Sequence, residues 1–261
     1  MKIALFSDIH ANLPALEAVL SDMEKRKPDA VYCLGGGMVY VPVLKWAGFP
    51  VKEVAIPLGL LLNGLNTLLA LIPYARNKLV DWKGGLAMAA AAFIAAPIGA
   101  YTAQFVPVKT LLILFAAAVA IAALRMTLFA RQPEPETMMT LKKRSLIGGG
   151  AGAFAGFMGG MLGLGGGFII ASILMWMGYQ TKVAAATTAF VVTFSSFSGY
   201  LGHMAEGRFN WPLTIVVLIA VIIGSQLGGN FMSGRVKPQW VKLLYALVLL
   251  AIAIKLIFEA I

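Results

Sequence analysis

Four of the five residues in Gly163-Leu164-Gly165-Gly166-Gly167 are glycine, and they interrupt a long apolar run. Glycine at that density cannot hold a regular helix, so a break is expected here. A break exposes backbone N–H groups at the start of the following half-helix. Those donors, with the positive end of the helix dipole, suit an anion. Gly35-Gly36-Gly37 presents the same chemistry earlier in the chain. Hydroxyl and amide side chains inside apolar segments can complete such a site. The chain supplies Asn63 and Asn66 in one stretch, and Thr187, Thr188, Thr193 and Ser196 in another. Together with Gly35, Gly36, Gly37, Gly163, Gly165, Gly166 and Gly167, these form the candidate substrate-binding set. A hinge or packing role for the glycines stays open, as does back-bonding of the hydroxyls to the carbonyl four residues earlier.

Asp8-Ile9-His10 is the other chemical signature. Asp8 and His10 alone cannot build a two-metal hydrolytic site, which draws its ligands from several loops. The remaining histidine is His203 and the single cysteine is Cys33. No metal centre, cofactor or catalytic group is expected, and one cysteine excludes an internal disulfide. Asp8 and His10 are vestigial at most.

The elements that must hold the glycines and hydroxyls are set by composition. The 261 residues are 60% hydrophobic and 12% charged, with a mean hydropathy of +0.85. Soluble domains carry about 25% charged residues. Apolar runs near 30–49, 53–73, 85–104, 108–130, 145–177, 183–202, 211–232 and 238–258 reach the roughly 20 residues that span a bilayer. Backbone groups in lipid must be satisfied within their own segment, so helices follow. The alternation of barrel strands is missing. The expectation is an all-α polytopic membrane protein of about eight transmembrane helices, with a break inside the fifth.

Residues 1–36 have a different texture. A short apolar strand, an amphipathic helix with Leu13, Leu16, Val19 and Leu20 at helical spacing, and a second strand read as a small soluble α/β-like fragment. The apolar stretch after Met1-Lys2 soon meets Asp8 and His10, so it does not read as a secretory signal.

The glycine segment also occurs twice. Gly35 to Ala55 and Gly165 to Ala185 align without a gap at an offset of 130, with eight identities in twenty-one positions. Trp82 with Trp211 and Gly99 with Gly228 extend the match. Asn63 and Asn66 meet Thr193 and Ser196 at the same offset. Duplicated halves are a common plan for carriers that bind substrate between them. Four spans per half is an even number, which predicts two parallel repeats. The net charge of +10 gathers in loops, Arg76, Lys78 and Lys83, then Arg131, Lys142, Lys143 and Arg144. The positive-inside rule sets the 74–84 and 131–145 loops in the cytoplasm, and nucleic acid is not an expected partner. Lys52 and Lys182 stand at equivalent turns and fit either anion attraction or interfacial anchoring.

Residues 1–36 resemble the opening of the calcineurin-like metallophosphoesterases, with Asp8 and His10 at two ligand positions. The resemblance stops where a Gly-Asp is due, because Gly37 follows Gly36. From about Gly35 onward the chain resembles the TauE/SafE, or sulfite exporter, family of membrane transporters. GGGMVYVPVL and GGMLGLGGGFIIASIL, each followed by a Gly-x-x-x-Lys turn, carry the likeness. Ser172 stands where the first half has Pro42. The resemblance implies export of a small sulfur-containing anion, such as sulfite or an organosulfonate, across a bacterial cytoplasmic membrane. A fragment at 1–34, a first repeat at 35–131, a basic linker at 132–144 and a second repeat at 145–261 complete the reading. Expected partners are the anion and the bilayer, with a homo-oligomer left open. The alternatives are a transport-dead membrane fusion and a metal-dependent phosphoesterase.

Overall fold

The computed structural model describes residues 3–6, 30–33, 37–128, 137–204, 212, 214–215 and 254–256. Asp8, His10, Gly35, Gly36 and the expected spans at 211–232 and 238–258 lie outside them, apart from the last few positions just given. Two short strands, β1 (Ile3–Phe6) and β2 (Ala30–Cys33), pair in parallel with Ile3 opposite Ala30. Among the described residues seven α-helices follow. They are α1 (Gly37–Trp46), α2 (Ile56–Arg76), α3 (Trp82–Phe105), α4 (Val108–Leu128), α5 (Leu141–Leu162), α6 (Gly167–Trp176) and α7 (Thr181–Met204). One π-helical turn, Val51–Ala55, leads into α2.

Among the described residues four helical segments are long and apolar enough to cross a membrane, with lengths of 22 to 26 residues. At 1.5 Å per residue they reach roughly 33–39 Å, which covers a hydrocarbon core of about 30 Å. They are Val51–Arg76, Trp82–Phe105, Leu141–Leu162 and Lys182–Met204. The expected span at 30–49 is not one helix. Residues Ala30–Cys33 are extended and pair with β1, and α1 begins at Gly37 and runs for only 10 residues. Strand pairing satisfies the backbone of Val31 and Tyr32, whose residue types favour a strand over a helix start.

The break inside the fifth apolar run is where the glycines place it. Helix α5 ends at Leu162, and Gly163, Gly165 and Gly166 adopt φ of +80°, +66° and +76°. Only glycine takes that conformation without a steric cost. The chain then doubles back. A Cβ on Gly159 would meet the backbone of Gly165 and Gly166, and one on Gly166 would meet Ala155. At the far end Met139 N donates to Met177 O at 3.1 Å. Helix α6 therefore returns along α5, and the two form an antiparallel hairpin.

Small residues set the closest approach in the bundle. Gly152, Gly156 and Gly160 on α5 lie against the backbone of Met88, Ala92 and Ala96 on α3 in matching order, so α3 and α5 run parallel. A Cβ on Gly156 would sit 2.5 Å from Ala92 O. Without side chains the helices approach closely enough for dispersion contacts that lipid cannot replace. Gly150 lies on the same helix and meets nothing within 4 Å. Gly156→Ala should thus destabilise by about 1–3 kcal/mol through overpacking, whereas Gly150→Ala should be neutral or stabilise by up to about 1 kcal/mol. Thermal unfolding of the two variants in one detergent checks the contrast.

Helices α2 and α7 cross face to face in opposite directions. Asn63 bonds to Ser196, and Thr193 bonds to Thr67 one turn further along α2. The numbers rise on one helix as they fall on the other, which defines an antiparallel pair. Yet α2 and α7 hold equivalent places in the duplicated sequence. The same holds for the half-helices: α1 spans Gly37–Trp46 and α6 spans Gly167–Trp176, a constant offset of 130. The turns after them repeat as well, with φ of +87° at Gly48 and +90° at Gly178. Helix α1 ends at the Val51 end of α2, where Lys52 Nζ donates to Gln104 O at 2.8 Å. Helix α6 ends at the opposite end, beside Asp81 and Arg144 through Tyr179. The equivalent segments are inverted, not parallel as expected. The reason is the hairpin: α5, the break and α6 make two passes where an unbroken run was counted as one.

Candidate functional site

The inversion brings both half-helix starts toward the middle of the bundle from opposite ends. Gly165 and Gly166 lie level with Ala155, well inside α5. Asn63 and Ser196 lie near the middle of the long helices α2 and α7, at the same depth as Gly165. A Cβ on Gly165 would meet Asn63 Nδ2 and Ser196 Oγ, the latter at 2.5 Å. Asn63 Nδ2 donates to Ser196 Oγ at 2.9 Å. Ser195 Oγ donates to Gly165 O at 3.0 Å and anchors the loop to α7. Two N–H groups at the helix start are already used in a turn, because Ile169 N and Ile170 N both bond to Gly166 O. The N–H groups of Gly167 and Phe168 belong to the first turn, which has no intrahelical acceptor for them.

The sequence-derived set divides into three groups. Asn63, Ser196, Gly165, Gly166 and Gly167 come together around the break. Thr193 and Thr67 are packed beside them, but their hydroxyls close locally, on Ala189 O at 2.7 Å and Asn63 O at 2.9 Å. This is the back-bonding that apolar surroundings favour. Asn66 bonds to Tyr40 Oη of α1 at 2.5 Å, which couples the first half-helix to α2. Gly163 lies against Val41 and Ile56, further toward the α2 start. Thr187 is not at the break: its Oγ1 accepts from Asp81 N at 3.1 Å, near the start of α3. Thr188 is fully buried and its hydroxyl has no hydrogen-bond partner among the described residues. Gly37 opens α1, the counterpart of Gly167.

A second polar cluster closes the bundle at the end where α3 and α5 begin. Asp81 caps α3, its Oδ1 accepting from Gly84 N at 2.9 Å. Its Oδ2 accepts from Arg144 at 2.5 Å and from Tyr179 Oη at 2.9 Å. Arg144 also donates to Tyr179 Oη at 2.9 Å, with its guanidinium carbon 5.2 Å from that ring. Burial pulls the Asp81 carboxyl upward, but the Gly84 N–H, the Tyr179 hydroxyl and Arg144 outweigh it and hold it below its ordinary range. Burial, then the neighbouring carboxylate, pushes the Tyr179 phenol up to about 12. The cluster ties three separate chain segments together, so its members sit far apart in sequence. Among the described residues no group of three or more His, Cys, Asp or Glu side chains could hold a metal ion.

Comparison with known proteins follows the same outline. The family described as Sulfite exporter TauE/SafE matches residues 29–256. A probable membrane transporter protein of Bacillus subtilis, YunE, is 27% identical over 87% of this chain and 92% of its own length. A probable membrane transporter protein of Methanocaldococcus jannaschii is 21% identical over 84% of this chain and 86% of its own. Sulfite exporter TauE/SafE family protein 3 of Arabidopsis thaliana is 35% identical over 30% of this chain and 16% of its own. No solved structure matches. The family match takes in Ala30–Cys33, and the phosphoesterase resemblance of residues 1–36 finds no support in these comparisons. Apolar crossing helices, a glycine break and a match over most of the chain agree: the chain is a membrane transporter that belongs to the TauE/SafE sulfite exporter family.

Proposed function

We propose that this protein exports a small sulfur-containing anion, sulfite or an organosulfonate, across a bacterial cytoplasmic membrane. The observation that carries the reading is the start of α6, which meets the buried Asn63–Ser196 pair at mid-depth. Hydrogen-bond donors and a positive dipole end at that depth suit an anion and disfavour a cation. The family name and the Arabidopsis relatives' names supply the sulfur chemistry. Inverted halves, each with a short half-helix, fit alternating access by rocking one half against the other. The basic loops at 74–84 and 131–145 face the cytoplasm in this reading, in line with the positive-inside rule. The two-repeat domain division is part of the same proposal.

Purified protein in sulfite-loaded proteoliposomes tests it. Wild type should release sulfite well above protein-free vesicles, and Ser196→Ala should slow release by about tenfold, the effect of one lost charge-assisted hydrogen bond. Release no faster than from empty vesicles, for sulfite and for simple organosulfonates alike, would sink the reading. Labelling Lys143→Cys from either face with an impermeant maleimide, in a Cys33→Ser background, checks the orientation separately.

A further inference from the structure

Side-chain donors gather at the break, and one side-chain acceptor stands beside them. Asn63 is fully buried, and its Oδ1 has no hydrogen-bond partner among the described residues. Its Nδ2 is committed to Ser196 Oγ at 2.9 Å, so the oxygen is the amide atom left over. Ser196 Oγ accepts that bond and keeps its own proton to donate. Both side chains crowd the α-carbon of Gly165, two residues before α6 begins. The first-turn N–H groups of Gly167 and Phe168 complete a surface of several donors and one bare acceptor.

That mixture does not suit every anion. An oxyanion without hydrogen satisfies the donors but presents lone pairs to Asn63 Oδ1, leaving a buried acceptor unmatched. An anion with an O–H or N–H beside its sulfonyl oxygens satisfies donors and acceptor together. A site built to bond a substrate OH or NH rejects the analogue without it more strongly than an apolar pocket rejects an extra group. No charged acceptor competes at this depth among the described residues. The charged side chains of α2, α5, α6 and α7 are Arg76, Lys142, Lys143, Arg144 and Lys182, all near helix ends. His203 bonds to Gly160 O at the far end of α7, and the Tyr40 phenol accepts from Asn66.

We propose that Asn63 Oδ1 is the specificity-determining acceptor of this carrier, selecting sulfur monoanions that bear an O–H or N–H hydrogen over those that bear none. The inference rests on the anion reading of the site and names the substrate class within it. Sulfamate and methanesulfonate are the probes. Each is a monoanion at neutral pH with three sulfonyl oxygens, and they differ by an amino group in place of a methyl. Binding to the purified full chain in nanodiscs is measured by titration calorimetry.

Sulfamate should bind at least about tenfold more tightly, the range expected when a buried acceptor is left unmatched. In Asn63→Leu the preference should shrink to about twofold or less, since no acceptor remains to satisfy. The wild-type comparison decides the matter even if that variant does not fold. Equal binding, or tighter binding of methanesulfonate, overturns the role of Asn63 and leaves the anion reading standing. Failure of sulfamate to bind also overturns it, and if sulfite fails as well the anion reading falls with it.

Discussion

Gly165→Val should abolish flux and lower the unfolding temperature sharply, whereas Gly48→Ala should leave flux near wild type. Both positions have left-handed backbone, φ +66° at Gly165 and +87° at Gly48. Any L side chain there costs about 1–2 kcal/mol, more if β-branched. The surroundings separate them. A Cβ on Gly48 meets nothing within 4 Å, while one on Gly165 strikes Asn63 and Ser196 and comes 3.0 Å from Val192 Cγ1. Overpacking adds about 1–3 kcal/mol, so the total at Gly165 is on the order of 2–5 kcal/mol. The functional loss should exceed the loss of stability, because the substitution pushes apart the pair that the half-helix start faces. Flux per folded molecule, normalised by size-exclusion recovery, measures that difference. A Gly165→Val protein that folds and transports like wild type would show that the break has no part in the site.

Arg144→Ala is the second large effect. Asp81 and Arg144 are mostly shielded, with 23% and 14% of their side chains exposed. Removing the cation leaves a carboxylate partly buried and unpaired, which costs on the order of 3 kcal/mol. Arg144→Lys should recover only part, because one ammonium cannot reproduce the planar contacts to both Asp81 and Tyr179. Tyr179→Phe removes the shared hydroxyl alone and should cost about 1 kcal/mol. Thermal unfolding of the three variants ranks them. The pH dependence follows from the shifts. The folded Asp81 carboxyl lies below its ordinary value of 3.8, so its contribution is present above that value and is lost as pH falls through the folded one. Tyr179 is raised from 10.0 to about 12, so its contribution is present below pH 10 and is lost as pH rises through the folded value. The network should give flat stability between those limits, and Arg144→Ala should weaken the acid limb, with the Gly84 N–H and the Tyr179 hydroxyl still on the carboxylate.

The repeat and the break were legible in the sequence because both rest on residue identity. Gly37 and Trp46 bound one half-helix as Gly167 and Trp176 bound the other, and the turn glycines Gly48 and Gly178 match in conformation. Gly152, Gly156 and Gly160 recur every four residues, a spacing that leaves one helix face open to a neighbour. Direction was not legible. A hydropathy run records how many apolar residues are consecutive, not whether the chain reverses within them, so 145–177 counted once and the halves came out parallel. The Asp81–Arg144–Tyr179 cluster was missed for another reason. Arg144 reads as one more basic loop residue until folding brings Asp81 beside it, and a capping aspartate before Trp82 was the available clue. Thr187 and Thr193 show what residue type leaves open: a buried hydroxyl is equally at home on a carbonyl or on a neighbouring N–H. At the start of the chain, 30–33 reads both as a second strand and as the start of an apolar run, and the structure pairs Ala30–Cys33 with Ile3–Phe6.

The hairpin of α5 and α6 also bears on how the chain enters a membrane. Helix α6 has 10 residues, about 15 Å at 1.5 Å per residue, half of a hydrocarbon core. Alone it is too short for the insertion machinery to read as a stop, and its exposed first turn would be stranded in lipid. It becomes tolerable only with α5 already beside it and Asn63 and Ser196 in place. In nascent chains cut near residue 180 the preceding crossing helices should hold the chain in the bilayer while α6 stays open to protease, and in chains extended through Met204 α6 should be protected. The glycine break thus delays the secure seating of α6 during synthesis until α7 has emerged.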